Sequence, residues 1–393
     1  MGIDVGIYGA TGYTGLELVR LLDGHPDARI RFVTSESSAG QSLRQSWPQA
    51  PDLPLVAAAD APLDQVQCVF LCLPHTLSAP IAAQALAQGV RVIDLSADLR
   101  LDDPAVYTEW YHVAHPAPDL LPVPYGLPEL GRAALPGARV IASPGCYATA
   151  VLLATAPLVR CGLLVPGAPL IVDAKSGVSG AGRTPKQNML FAEVHGNFSP
   201  YNIGRAHRHL AEIEQELDRA GQPYGTLIFS PHLLPTDRGI LATVYAQVRA
   251  MDAVRAAFED AYAGEPLVSV LPAGELATLG HVVRTPRAAI SLTPATLDFS
   301  MKPCMARVWM ARAGVPPEKR LLPSRTSSWA LANSTRRRRP LGPALELTEP
   351  SAPIRMPVSS GPNWIGPRSP MTALPLVSTS VPLALSWKAP ARV

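Results

Sequence analysis

Ile3-Asp-Val-Gly-Ile-Tyr8-Gly9-Ala10-Thr11-Gly12-Tyr13-Thr14-Gly15 decides how this chain folds. A short apolar run, Ile3–Tyr8, reads as a strand. Three glycines with two residues between each pair follow it. Helical apolar spacing at Leu16, Val19 and Leu22 comes next, within Thr14–Leu22. Glycines permit a tight turn and let backbone N–H groups approach a pyrophosphate, and a helix N-terminus adds partial positive charge. GxxGxxG is a variant of the commoner GxGxxG. Such a turn is a weak signal alone and a stronger one between a strand and a helix. The plain alternative is a glycine-rich connection with no ligand.

Working outward, Ile30–Thr34 reads as a second strand, and Val66–Leu73 as a central parallel strand covered on both faces. Ala79–Gln88 is helical, Val90–Leu95 and Arg139–Ala142 are strands, and an Ala/Leu-rich helix covers Tyr147–Arg160. This β-α-β alternation predicts an α/β fold, a Rossmann-type doubly wound parallel sheet over residues 1–142. Strand-like runs at Pro169–Ala174, Gly225–Phe229 and Ile240–Gln247 then mix with helical ones at His209–Ala220 and Ala253–Ala263. Residues 143–295 are expected to form a second, α+β domain. From 296 to 393 periodicity fades, Pro recurs and Arg336–Arg339 is a run of arginines, so this basic tail is expected to be disordered.

Composition agrees with that division. The chain has 393 residues, enough for two or three units at about 150 residues per domain. The 47 % hydrophobic content suits real cores. Of 34 Lys/Arg and 31 Asp/Glu, 14 and 3 lie in Met301–Val393, a balance of +11. That leaves 20 and 28 before it, a balance of −8. The first part is an acidic soluble composition; the tail is basic. No apolar run of about 18 residues indicates a transmembrane helix. The N-terminus has an acid at Asp4 and no basic stretch, unlike a signal peptide. Five widely spaced cysteines without a CxxC pair point to reduced thiols and a cytoplasmic location, against disulfides or a zinc knuckle.

The stretch Thr34-Ser35-Glu36-Ser37-Ser38-Ala39-Gly40 ends the second strand. NAD binders usually place an acid there for the ribose hydroxyls. Here the hydroxyls, with Arg44 nearby, suit the 2′-phosphate of NADP, although Glu36 would repel it if it faced that group. The expected cofactor contacts are Gly9, Thr11, Gly12, Tyr13, Thr14, Gly15, Ser35 and Ser38. Ser143-Pro-Gly-Cys146-Tyr lies where a strand meets a helix. A helix N-terminus lowers a thiol's pKa, and its free N–H groups can hold an oxyanion, so Cys146 is the candidate nucleophile. Cys68, Cys72 and Cys161 read as small buried hydrophobes. His207-Arg208-His209 offers an imidazole for proton exchange. Spaced i, i+2, the two histidines cannot share a helical face as metal ligands, and no metal is expected. Spacing alone leaves either as the base, and two surface histidines as the alternative.

Together these pieces resemble the N-acetyl-γ-glutamyl-phosphate reductase family over about residues 1–294. Besides the glycine turn, Ser143-Pro-Gly-Cys-Tyr and His207-Arg-His-Leu-Ala-Glu-Ile, the carriers include Leu73-Pro74-His75, Asp94-Leu-Ser-Ala-Asp98-Leu-Arg100 and Pro124-Tyr-Gly-Leu-Pro-Glu129. Asp173-Ala-Lys-Ser-Gly-Val-Ser-Gly-Ala-Gly-Arg183, Pro231-His-Leu-Leu-Pro and Arg238-Gly-Ile-Leu-Ala-Thr complete them. The resemblance implies that Cys146 attacks a small acyl phosphate, that NADPH reduces the thioester, and that the aldehyde N-acetylglutamate semialdehyde leaves. It places the proton-exchanging histidine at His209. It implies cations near anionic substrate groups at Arg100, Lys175 and Arg183, with Ser143 and Glu212 also at the substrate. Ser176 and Gly177 resemble the family's nicotinamide contact, and Leu73 and Pro74 end a strand at the cofactor edge. A homo-oligomer, dimer or tetramer, is implied.

Three departures accompany this likeness. Ser143 stands where the family usually has Asn, Leu210-Ala211 replaces Thr-Pro after His-Arg-His, and the family's closing Gly- and Asn-containing segment is not found after Ala295. Resemblance, acids and periodicity stop together near residues 295–300, which points to a change of reading frame in the coding sequence. Resequencing checks this, and an intact frame through Val393 contradicts it. Aspartate-semialdehyde dehydrogenase and reductases of carrier-linked aminoadipyl phosphate share the architecture and are alternatives. So is a catalytically impaired NADP-binding homologue, recognised by cofactor binding without turnover. The basic tail, with Trp364 and Trp387, carries no recognised binding module, and nucleic acid is not an expected partner.

Overall fold

The computed structural model describes residues 2–295 and 304–312. Strands β1 (Ile3–Tyr8), β2 (Ala28–Thr34), β3 (Leu55–Val56), β4 (Cys68–Leu71), β5 (Arg91–Asp94) and β6 (Val140–Ala142) form a sheet in the order β3-β2-β1-β4-β5-β6. Every pairing in it is parallel. Helices α1 (Tyr13–Asp23), α2 (Ser78–Ala87) and α3 (Pro104–Tyr111) accompany it. Side chains alternate across the strands. Ile7 joins Leu16 and Val19 of α1 in one apolar cluster, while Tyr8 joins Ala79, Ala82 and Ala85 of α2 in another. That double cover explains the near-continuous apolar strands. The strand order reverses between β1 and β4, so their carboxyl ends open the crevice in which such sheets bind ligands.

The second sheet contains β7 (Leu170–Gly177), β8 (Ser199–Pro200), β9 (Leu227–Leu234), β10 (Ile240–Val248), β11 (Val268–Val270), β12 (Ala288–Ala295) and β13 (Cys304–Arg312). Its order is β11-β12-β13-β10-β7-β9-β8. The β7–β9 and β11–β12 pairs are parallel and the rest antiparallel. Helices α4 (Cys146–Arg160), α5 (His209–Arg219) and α6 (Met251–Tyr262) share one apolar cluster with it. Every residue of α4 from Tyr147 to Val159 is buried. Each buried Leu or Val there contributes about 1.5–3 kcal/mol relative to exposure, which fixes the helix that begins at Cys146. On β7, Leu170, Val172 and Ala174 face this core, while Ile171, Asp173 and Lys175 lie on the opposite, half-buried face.

One expectation needs correction. Regular structure does not end at residue 295, because Cys304–Arg312 forms β13 between β12 and β10. Its whole length pairs with β10, and it also pairs with all of β12, so the sheet is continuous only through it. Pairing with two neighbours outweighs the loss of local periodicity that argued for disorder. The rest of the expected tail, including Arg336–Arg339, Trp364 and Trp387, lies outside the described residues.

Candidate active site

The chain passes from β6 into α4 through Ser143-Pro-Gly145, and this turn is held at several points. Ser143 N–H donates to the Asp94 carbonyl at 2.7 Å. The Ser143 carbonyl accepts from Arg100 Nε at 2.9 Å. Gly145 N–H donates to Glu212 Oε1 at 2.6 Å. Cys146 is the first residue of α4 and is exposed. It therefore sits where a helix presents its unshared N–H groups and the positive end of its dipole.

Glu212, in the first turn of α5, is almost fully buried. Besides Gly145 N–H, it accepts from Tyr125 Oη at 2.5 Å, and its other oxygen faces Arg100 Nη1 at 3.5 Å. Arg100 also donates to the Leu95 carbonyl at 3.0 Å. The first sheet, the nucleophile turn and α5 are thus joined through one Arg–Glu pair. Next to it, a Cβ on Gly145 would lie 2.6 Å from His209 Nε2 and 2.8 Å from Glu212 Oε2. Only glycine lets both side chains rest against the residue preceding Cys146.

The structure separates the two histidines. His207 is buried edge-on against Tyr147 (5.5 Å) and Phe229 (5.3 Å), and its Nδ1 accepts His209 N–H at 3.2 Å. Burial, with His209 and Arg208 beside it, pulls its pKa down to about 3. His209 turns Nε2 to the Gly145–Cys146 turn, while its buried Nδ1 has no hydrogen-bond partner among the described residues. Burial, then the positive charges of Arg100 and Arg208, lowers its pKa to about 3 as well. Its ring is neutral at neutral pH.

Tyrosines complete the surroundings, and composition did not flag them. Tyr201 Oη donates to Tyr147 Oη at 3.2 Å, and Tyr147 Oη to the His232 carbonyl at 3.4 Å. Ser176 interacts with both hydroxyls. Burial raises the pKa of both phenols. The readable signal was Tyr147 inside the Pro-Gly-Cys-Tyr motif, since a buried Tyr needs a partner for its hydroxyl.

The remaining candidates divide between two places. Lys175 pairs with Asp173 on the half-buried face of β7, beside His232. Gly177 follows Ser176 at the end of the same strand. Arg183, expected beside the substrate, instead reaches the glycine turn. It donates to the Thr11 carbonyl at 2.8 Å and lies over the Trp47 ring at 4.1 Å. Trp47 Nε1 donates to the same carbonyl at 3.1 Å, and Tyr13 leans on Trp47.

In the turn, Gly9 has φ +77°, and a Cβ on Gly15 would lie 2.3 Å from the Gly9 carbonyl. Gly12 differs. Its missing Cβ would meet nothing nearer than 3.5 Å, so its backbone faces open space of the kind a ligand needs. Thr14 lies in the first turn of α1, one residue after Tyr13 opens it. Thr11 Oγ1 lies 3.1 Å from Ser35 Oγ, which neighbours Ser37 Oγ at 3.5 Å, and Ser38 is half-buried alongside. Glu36 turns away to accept Ala58 N–H at 2.8 Å, and Arg44 turns to the Ala50 carbonyl. Leu73 lies directly against Gly9. Pro74 and His75 lead to Thr76, held at φ 74° by its N–H bond to Asp98.

Two family descriptions match the chain: "Semialdehyde dehydrogenase, NAD binding domain" over residues 4–138, and "Semialdehyde dehydrogenase, dimerisation domain" over 146–298. The N-acetyl-gamma-glutamyl-phosphate reductase of Symbiobacterium thermophilum is 49 % identical over 290 residues, covering 72 % of this chain and 83 % of that protein. This chain belongs to the N-acetyl-γ-glutamyl-phosphate reductase family. The Desulforudis audaxviator protein of that name is 43 % identical over 300 residues, 74 % of this chain and 86 % of its own. Among solved structures, aspartate semialdehyde dehydrogenase II of Vibrio cholerae has TM-score 0.61 at 18 % identity, covering 80 % of this chain and 94 % of that one. That likeness shows the fold. Among the described residues no helix is long and apolar enough to cross a membrane.

Proposed function

We propose that this chain reduces N-acetyl-L-glutamyl 5-phosphate to N-acetyl-L-glutamate 5-semialdehyde and phosphate, the arginine-biosynthesis reaction, with NADPH and through a thioester on Cys146. The supporting observation is the convergence at Gly145–Cys146. A thiol opens a buried helix, Glu212 grips the preceding N–H, and a neutral imidazole nitrogen rests on the same glycine. The names of the relatives supply the substrate.

In this reading the Cys146 thiolate attacks the acyl carbon, a C–S bond forms, and the C–O bond to phosphate breaks. The N–H groups of the first turn of α4 receive the oxyanion. The nicotinamide cofactor, when bound, supplies the hydride. The C–S bond then breaks, and the thiolate returns as the aldehyde leaves. His209 accepts and returns the proton at Nε2. Glu212 and Arg100 hold the turn rigid, and Ser143 carries the carbonyl through which Arg100 acts. We assign Lys175 to the substrate side, and Arg183 to the cofactor side on account of its contact with Thr11.

The residues present fit NADP. Gly12 leaves open space at a helix start, with Gly9, Thr11, Tyr13, Thr14 and Gly15 around it. The hydroxyls of Ser35 and Ser38 stand at the end of β2, where the one nearby acid, Glu36, is engaged elsewhere. Leu73, Pro74, Ser176 and Gly177 are the contacts assigned to the nicotinamide end. We divide the chain at residues 142 and 143, and count β13 with the second domain.

The matched dimerisation domain supports a homo-oligomer. The face of the second sheet turned away from the helices, with Ile171 and exposed Ile228, is the surface we assign to it. Acyl phosphate added without cofactor tests the thioester. One equivalent of phosphate and an acylated Cys146 by mass spectrometry are expected, and acylation that persists in Cys146→Ala contradicts the assignment.

A further inference from the structure

Arg238, in the turn between β9 and β10, touches two things at once. Its side chain crosses to the nucleotide-binding half, where Nη2 lies 2.6 Å from Glu17 Oε1. Glu17 stands on α1, the helix that begins at the glycine turn, and is buried at 7 % exposure. Its other oxygen is buried without a hydrogen bond among the described residues, with Arg20 Nη1 3.6 Å away. A buried carboxylate is unfavourable unless paired, and Arg238 is its close partner. The backbone of Arg238, meanwhile, lies against Gly177. A Cβ on Gly177 would sit 2.7 Å from Arg238 N and 2.8 Å from its Cα. Gly177 N–H donates to the Gly239 carbonyl at 2.9 Å, and Val178 N–H to the Thr236 carbonyl at 2.9 Å. One residue therefore joins the helix behind the phosphate turn to the strand end assigned to the nicotinamide.

We propose that the Glu17–Arg238 ion pair is a pin that fixes the spacing between the phosphate turn and the Gly177 strand end, making both residues positioning residues for hydride transfer. This rests on the cofactor reading above. A dinucleotide gripped at its phosphates by one domain and at its nicotinamide by the other converts any shift between domains into a misplaced hydride. A displacement of about 1 Å is enough to slow a reaction about 10²-fold. Loss of the pin leaves the phosphate grip intact, so it acts on the reacting end rather than on affinity.

The test uses the full chain, NADPH as the probe, and the variants Glu17→Gln, Arg238→Lys and the exchanged pair Glu17→Arg/Arg238→Glu. Nicotinamide emission of bound NADPH and its Kd are read first; turnover with 4-deuterated NADPH is read second. Glu17→Gln is expected to keep Kd within about threefold, change the bound emission, lower kcat by about tenfold or more and raise the deuterium isotope effect. Arg238→Lys keeps the charge and loses the planar fork, so it falls between Glu17→Gln and wild type. The exchanged pair recovers part of the loss. Arg132→Gln, which breaks the ion pair to Glu265 between other elements, serves as a comparison and leaves emission unchanged. If Glu17→Gln does not fold, Arg238→Lys carries the same readouts. Emission, kcat and isotope effect equal to wild type, whatever the melting temperature, would overturn the pin. Should wild type bind NADPH but not turn over the acyl phosphate, the reaction reading fails, and the emission comparison still decides the pin.

Discussion

His209 is partly buried and lies beside the charges of Arg100 and Arg208, so its ring stays neutral where a free imidazole titrates. With its pKa lowered to about 3, the acid limb usually produced by a histidine near 6.5 is displaced downward. A kcat/KM profile between pH 5 and pH 8 is therefore expected to show no histidine limb at 6.5; a limb there contradicts the neutral-base account. Gly145 tests the same geometry from the other side. Gly145→Ala puts a Cβ 2.6 Å from His209 Nε2, which cannot recede without leaving the turn. About 10²-fold or more of kcat is expected to be lost, with thermal unfolding showing a folded chain. Cys146 and the glycine before it were legible because Pro-Gly-Cys at a strand–helix junction is a local pattern. The choice of His209 over His207 was not legible from spacing. It depends on Tyr147 and Phe229, which close on His207 from other elements.

At the scale of elements, the segment Asp94–Arg100 behaves as a bracket. Asp94 accepts from Ser96 through N–H and hydroxyl. Asp98, with no exposure, accepts from Thr76, Ser78 and Ala79 N–H groups and from Tyr107 Oη. It thereby caps α2 and holds the Leu73–Thr76 loop at the crevice. Arg100 then reaches the nucleophile turn. Asp98→Ala leaves several buried donors unpaired and is expected to lower stability by about 3 kcal/mol or more, measured by urea unfolding. Weaker NADPH binding should follow as the loop loosens. A loss below about 1 kcal/mol would mean that water replaces the carboxylate. The sequence pattern located the β-α-β core and the helix after Cys146 to within a few residues. It missed α3, although Asp103 caps it and Pro104 starts it. It also missed β12 and β13, whose existence depends on pairing with each other and with β10 rather than on any local period.

Across the whole molecule, His207 and His209 link folding to pH. Each binds a proton near 6.5 when unfolded but only near about 3 when folded. Above 6.5 neither state is protonated there and these groups leave stability unchanged. As pH falls from 6.5 toward 3, the unfolded chain takes up more protons and stability drops. The loss is up to about 1.4 kcal/mol per pH unit for each histidine. Urea unfolding at pH 7 and pH 5 is expected to show this, and a His207→Gln/His209→Gln chain should show less of it. The account stands or falls on the thioester at Cys146. The most direct measurement is phosphate-dependent reduction of NADP with N-acetylglutamate 5-semialdehyde, followed at the nicotinamide absorbance, in wild type and Cys146→Ala. Turnover that requires phosphate and vanishes in Cys146→Ala is the predicted result. Turnover that survives in Cys146→Ala, or its absence from folded wild type that binds NADP, would contradict the account.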